Sequence, residues 1–241
     1  TITGPVSIST FPYMENFDTF TPINLGSPGT PVIALTNGWE NDQSDAAQDW
    51  VPRSTPTNSA LTGPEYDHTF GNDGNTTQGN YIFVEDNFDG NPVNLLSPCF
   101  VITGVNNPAL NFWYHHFNGS NPAYMSILHI DLSNNGNMIP DVIPPIYPDV
   151  VDVWKQKTID LSAYTGIIGI RYRVNCNNGF SYNDVGIDDI GIFSQVIANL
   201  GTDTTPEIAF SIYPNPANRE VIVSVSGAHD LKEMKLLDIL G

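Results

Sequence analysis

Apolar and aromatic residues along the first 193 positions fall in short runs that alternate with polar neighbours and end at Gly, Asn or Pro. LNFWYHHF (110–117), YMSILHIDL (124–132), IIGIRYRV (167–174) and VGIDDIGIF (185–193) are the strongest, rich in the β-branched and aromatic side chains that suit a pleated surface. YIFVEDN (81–87), LLSPCFVITGV (95–105) and the stretch from Phe11 to Phe17 extend the series. Up to residue 200 no window sustains the i, i+3, i+4, i+7 spacing of an amphipathic helix, so a parallel sheet would lack its crossover helices. The pattern predicts an all-β chain whose short strands, about seven or more, form two packed antiparallel sheets.

Between the runs lie long polar stretches. Gly26 to Asn80 is rich in Gly, Pro, Asn, Asp and Thr and reads as ordered loops with short strands. SNNGNMIPDVIPPIYPD (133–149) holds Pro140, Pro144, Pro145 and Pro148, which cannot donate to a central ladder, and reads as a surface excursion. After Phe193 the pattern decays into SQVIANLGTDTTPE (194–207), the composition of a linker, and a second unit begins near Ile208.

Composition narrows the function classes. Hydrophobic residues make up 40% of the 241, enough for a real core, and no run approaches the roughly 18 apolar residues of a spanning helix. TITGPVSIST at the N-terminus has neither the charged nor the apolar region of a signal peptide, so any such leader is expected to have been removed. The formal charge is −18, and Arg53 is the only basic residue in the first 150, against 15 acidic ones. Such a surface repels polyanions, which excludes nucleic acid as a partner. The same carboxylates supply the hard oxygens that calcium prefers. Cys99 and Cys176, 77 residues apart, exclude a CxxC motif and leave one disulfide or two buried thiols as the alternatives.

Read in order, FPYMENFD (11–18), NGWENDQSDAAQDW (37–50), GPEYDHTFG (63–71), GNYIFVE (79–85), LLSP (95–98), LNFWYHHFNG (110–119) and GIDDIGIF (186–193) resemble the MAM domain, an extracellular β-sandwich module. The likeness covers about residues 11–193, and a related resemblance is to the cleaved-adhesin type of jelly roll in bacterial surface proteases. It implies a jelly-roll sandwich over 1–196 with a binding or adhesive role. It also implies calcium where Glu15 of the first strand meets Asp188 or Asp189 of the last, with Asp42, Asp45 and Asp67 as further ligands. The family's usual four cysteines are not reproduced, and Cys99 and Cys176 do not fall on their positions.

FSIYPNPANREVIVSV, followed by LKEMKLLDILG, resembles the C-terminal sorting domain of cargo for type IX secretion in Bacteroidetes. Tyr213, Pro214, Asn215, Pro216, Asp238 and Gly241 carry the likeness, which implies a linker at 197–206 and a small partial β-sandwich sorting domain at 207–241. The family continues with further strands past the position of Gly241, so the sequence is expected to be truncated there. Helix propensity favours a helix for LKEMKLLDIL, whereas the resemblance implies a strand.

Catalytic patterns are missing: there is no GxSxG or HExxH, and His68, His115, His116, His129 and His229 are scattered. On the 110–117 strand, Trp113, His115 and Phe117 share one face and Phe112, Tyr114 and His116 the other, one set core and one outward. Asp188-Asp189 inside an apolar strand puts at least one carboxylate inward, where its charge must be neutralised; with so few basic residues, a metal ion is the expected partner. Asp131, Ser133, Asn135 and Gly136 open like an EF-hand loop, but Val142 stands where the bidentate Glu belongs, so the segment reads as a turn. Trp39, Trp50, Tyr66 and Tyr81 could stack on sugars or fill the core edge. The sequence thus points to a secreted or outer-surface, non-catalytic, calcium-stabilised module with an extracellular protein or glycan ligand, exported through its tail by the type IX machinery. The alternative is an ancillary carbohydrate- or substrate-binding module of a larger secreted hydrolase or protease.

Overall fold

The computed structural model describes residues 6–23, 34–44, 49–59, 61–69, 79–85, 92–118, 125–176 and 183–194, and the backbone of 209–213 and 222–226. The chain divides into two compact units, Thr1–Ile197 and Ala198–Gly241. The described residues of the first contain thirteen strands: β1 (Ser7–Ile8), β2 (Tyr13–Glu15), β3 (Glu40–Asn41), β4 (Val51–Arg53), β5 (Tyr81–Val84), β6 (Pro92–Leu96), β7 (Cys99–Val101), β8 (Pro108–His116), β9 (Ile127–Asn134), β10 (Asn137–Ile139), β11 (Lys155–Asp160), β12 (Ile167–Asn175) and β13 (Val185–Ser194). Those of the second contain an antiparallel hairpin, β14 (Ala209–Tyr213) with β15 (Ile222–Ser226). Pro214, Asn215, Pro216, Asp238, Gly241 and the LKEMKLLDIL segment lie outside the described residues. No described helix is long and apolar enough to cross a membrane.

Two sheets, antiparallel except for the β1–β7 edge, pack face to face as the period-2 pattern requires. In the seven-stranded sheet β12 is the spine: β9 runs along one edge, with β10 beyond it, while β6 and β7 share the other edge and carry β3 and β1. In the six-stranded sheet β13 is the spine, with β8 and then β11 on one side and β5, β4 and β2 on the other. Between the sheets Ile168, Ile170, Tyr172 and Val174 of β12 meet Phe112 of β8 and Ile187, Ile190 and Ile192 of β13, all at most 1% exposed.

Local chemistry explains the divisions. Apolar LLSPCFV is two strands because Pro98 has no N–H; Ser97 bridges the gap, its N–H donating to the Ile170 carbonyl (2.9 Å) and its Oγ accepting the Ile170 N–H (2.8 Å). The EF-hand-like stretch is a hairpin turn: Asn135 (φ 49°) and Gly136 (φ 83°) are both left-handed, as a two-residue type I′ connection between β9 and β10 demands. Segment 140–149 is not the surface excursion the prolines suggested. Its non-proline amides pair with β9 through Val142 to Ile130 (2.9 Å) and Ile146 to Leu128 (2.8 Å), and Val142, Ile143 and Ile146 pack on the core. Cys99 and Cys176 are buried thiols, not a disulfide. Phe100 stands opposite Ile168, and Cys176 lies eight residues further along, about 26 Å at strand rise, far beyond the roughly 7 Å a disulfide spans.

Candidate functional site

The outer face of the six-stranded sheet is roofed by residues 54–59 and 61–69, and side chains that a bare sheet would offer to water are buried there. The roof is pinned at several points. The Tyr81 hydroxyl donates to the Thr55 carbonyl (2.7 Å), the Thr62 hydroxyl to the Asp184 carboxylate (2.9 Å), and the Asp184 N–H to the Thr62 carbonyl (3.0 Å). Gly186 is the contact floor: a Cβ there would lie 2.6 Å from Pro64 Cγ and 3.1 Å from Trp154 Cη2, so only glycine lets the roof and Trp154 close on β13. Arg53, 5% exposed, donates to the Pro56 carbonyl (2.7 Å) and to Asn58 (2.6 Å); the only basic residue of the first 150 thus holds the roof's first turn.

Asp188 and Asp189 both reach the outer face, which corrects the expectation that one points inward. A bulge shifts the β13–β8 register between Asp188 and Gly191, with Asp189 at φ 47°, so two consecutive carboxylates meet the same residue. The His68 N–H donates to Asp188 Oδ2 (2.8 Å), His68 Nδ1 lies 2.6 Å from Asp189 Oδ2, and the Thr69 hydroxyl donates to Asp189 Oδ1 (2.9 Å). The imidazole stacks on Trp113 at 3.6 Å between ring centres. Asp188 is fully buried, and burial together with the Asp189 and Asp67 carboxylates pushes its acid well above the usual range against the pull of two backbone N–H donors. Backbone N–H groups of His68 and Asp189 engage both of its oxygens.

Of the expected calcium ligands, Asp67, Asp188 and Asp189 interact. Glu15 is placed apart: its carboxylate accepts the Phe17 N–H (2.9 Å) and the Asn37 amide (2.9 Å), and β2 pairs it with inward-facing Ile190. Asp42 closes a turn by accepting from the Ser44 N–H (3.0 Å) and hydroxyl (2.6 Å) beside β6 of the other sheet. Asp45 lies outside the described residues. Among the described residues no three His, Cys, Asp or Glu side chains are arranged to hold a metal.

Beside the roof opens a pocket of about 280 Å³ lined by Glu65, Tyr66, His115, Asp152, Val153 and Trp154. The Trp154 indole donates to the Tyr66 carbonyl (3.0 Å), and its ring meets Tyr81, His68 and His115 edge-on at 5.6–6.2 Å. His115 Nε2 is 2.7 Å from Asp152 Oδ1; burial pushes this imidazole down against the pull of Asp152. Of the four aromatic residues singled out in the sequence, Trp39, Trp50 and Tyr81 are core, and Tyr66 alone lines the pocket. Glu65 and Asp152 are separated by 87 positions and carry no local signature; only the fold joins them.

The one described serine–histidine contact is not a nucleophile. Ser126 is fully buried, and its hydroxyl donates to the Asn183 carbonyl (2.8 Å) while meeting His116 Nε2 at 2.9 Å. Burial and His115 push His116 down to about 3, so it is neutral, and Ser126 has no path to a substrate.

No family model matches the chain. Among solved structures, the chain is similar to the K1 cleaved adhesin domain of Lys-gingipain from Porphyromonas gingivalis, with 15% identity over 76% of this chain and 98% of that one, TM-score 0.46. It is also similar to TmCBM61 in complex with β-1,4-galactotriose, with 15% identity over 66% and 90%, TM-score 0.42. A third similarity is to the CBM22-1 xylan-binding domain of Paenibacillus barcinonensis Xyn10C, with 10% identity over 75% of this chain and 92% of that one, TM-score 0.39.

Proposed function

We propose that the first unit is a non-catalytic binding module of a secreted or cell-surface protein, and that its ligand, an extracellular protein or glycan, enters the pocket of Trp154. The observation that carries this reading is the pocket itself: a concavity where aromatic rings and carboxylates converge beside the sheet, with no Ser, Thr, Cys or Lys among its lining residues. Calcium at Asp188 and Asp189 is a proposal that rests on the sequence resemblance alone. The test is capture on the immobilised full chain from panels of extracellular glycans and proteins. The retained ligand should be lost by roughly tenfold or more on Trp154→Ala; retention unchanged by that substitution would remove the pocket from the proposal.

Residues 207–241 are proposed as the export address, on the sequence resemblance and the composition of the stretch before them. Deleting them should leave the melting temperature of the first unit nearly unchanged while the protein accumulates inside the cell. Export of the deleted form at the normal level would refute the assignment.

A further inference from the structure

We propose that the pocket takes a cation, the ammonium or guanidinium of a basic side chain on a protein partner; the inference rests on the pocket being the binding site described under Proposed function. Two carboxylates, Glu65 and Asp152, line the concavity together with the rings of Tyr66 and Trp154. Among the described residues neither carboxylate meets a Lys or Arg: Lys155 pairs with Asp149, Arg171 and Arg173 with Asp131, and Arg53 is held in the roof.

His115 is the partner of Asp152, and it does not cancel the charge. The residue is 3% exposed, and its Nδ1 has no hydrogen-bond partner in the structure. A protonated ring would bury an unmet N–H at that atom, so the neutral tautomer is the stable one, with Nε2–H donating to Asp152 and the lone pair on Nδ1. The desolvation that disfavours the imidazolium acts in the same direction. The pocket therefore keeps two uncompensated carboxylates beside aromatic rings, a combination that stabilises a bound cation by ion pairing and by cation–π attraction. A neutral glycan could stack on the same rings, but its hydroxyls would leave both charges uncompensated as the pocket is desolvated.

The rim selects a polypeptide as the carrier of that cation. Val150, Val151 and Val153, in one short stretch of chain, are 77%, 51% and 47% exposed, and Val153 belongs to both this apolar strip and the pocket. A basic side chain in the pocket with apolar neighbours along the strip uses both surfaces, which a free amine does not. The charge of −18 also draws a basic partner in and makes the encounter salt-dependent.

The test uses the full chain and three probes: a blocked pentapeptide with Arg between two valines, its citrulline counterpart, and a neutral β-1,4-linked oligosaccharide. Binding is read from the indole N–H resonance of Trp154, identified by its loss in Trp154→Phe. The Arg peptide should bind roughly tenfold more tightly than the citrulline peptide and loosen as salt is raised; Glu65→Gln and Asp152→Asn, both at exposed side chains, should each weaken it roughly fivefold. Equal affinity for the two peptides, or no binding of the Arg peptide, overturns the cation assignment. A shift of Trp154 by the oligosaccharide alone also overturns it while leaving the pocket a binding site, and no shift with any probe removes both.

Discussion

Trp39→Ala should cost about 3–5 kcal/mol of stability, the largest loss expected from any single truncation outside the pocket. Trp39 is 1% exposed between the sheets; its ring meets Phe17 at 5.4 Å and Tyr172 at 6.2 Å, and its indole donates to the Tyr13 hydroxyl at 3.0 Å. Truncation removes the transfer free energy of the ring, opens a cavity whose walls belong to both sheets, and strands part of the Tyr13 hydrogen bonding. For a domain of this size the melting temperature should fall by roughly 10 °C. Tyr147→Ala is the control: at 57% exposure it should stay within about 0.5 kcal/mol of the parent. Thermal or urea unfolding followed by circular dichroism separates the two, and equal small shifts would show that Trp39 is not a core anchor.

Asp131→Asn should destabilise the protein by about 2–3 kcal/mol at neutral pH, and the deficit should shrink in acid. The Asp131 side chain is wholly buried on the outer face of the seven-stranded sheet. Arg171, its cross-strand partner, reaches it at 2.8 Å and Arg173 at 2.9 Å, and it accepts the Asp141 N–H at 2.9 Å. Removing the charge leaves the two guanidinium groups one amide oxygen at this position, with Arg173 keeping Asp141 at 3.4 Å; because the groups are 26% and 17% exposed, water recovers part of the loss, which places the cost below the 3–5 kcal/mol of a fully buried pair. Burial pushes this carboxyl up, but the Arg173, Asp141 and Arg171 donors outweigh it and hold it below the usual carboxylate range. A depressed native pKa contributes stability that is complete above the unfolded value, near 4, and is lost as pH falls through the native value. The difference between parent and variant should therefore close below about pH 4. A deficit of constant size from pH 7 to pH 3 would mean that shape, not charge, is what Asn fails to supply.

Asp188 works in the opposite sense. Its acid is raised, so its contribution is complete below the unfolded value and declines as pH rises through the native one. The two aspartates make the point that burial alone does not set the sign: Asp131 is met by two cations, whereas Asp188 is met by backbone N–H groups and other carboxylates.

Much of the sandwich is legible in the chain because a strand with one buried face must alternate. Ile168, Ile170, Tyr172 and Val174 point to the core while Arg171 and Arg173 point away, and the Asn135-Gly136 pair fixes its hairpin by backbone sterics alone. β11 escapes the pattern: KQKTID is an edge strand bonded only to β8 among the described residues, so Lys155 and Lys157 sit half-buried on the side where only Ile159 is fully buried, and the apolar face is too short to read from the sequence.

Alternation distinguishes two faces of a strand but not what covers the second one. From the sequence, one of the two faces around His115 and His116 had to be outward, yet both histidines are 3% exposed, because the roof of residues 54–59 and 61–69 closes over the outer face. The bulge at Asp189 likewise turns both carboxylates to one side, which no period of two can express. Composition and alternation determined the class of fold, the hydrophobic layer and the charge that repels polyanions. The pocket was decided only in three dimensions, since Glu65, His115 and Asp152 come from the roof, a central strand and the approach to an edge strand, and long-range packing alone fixes their separation.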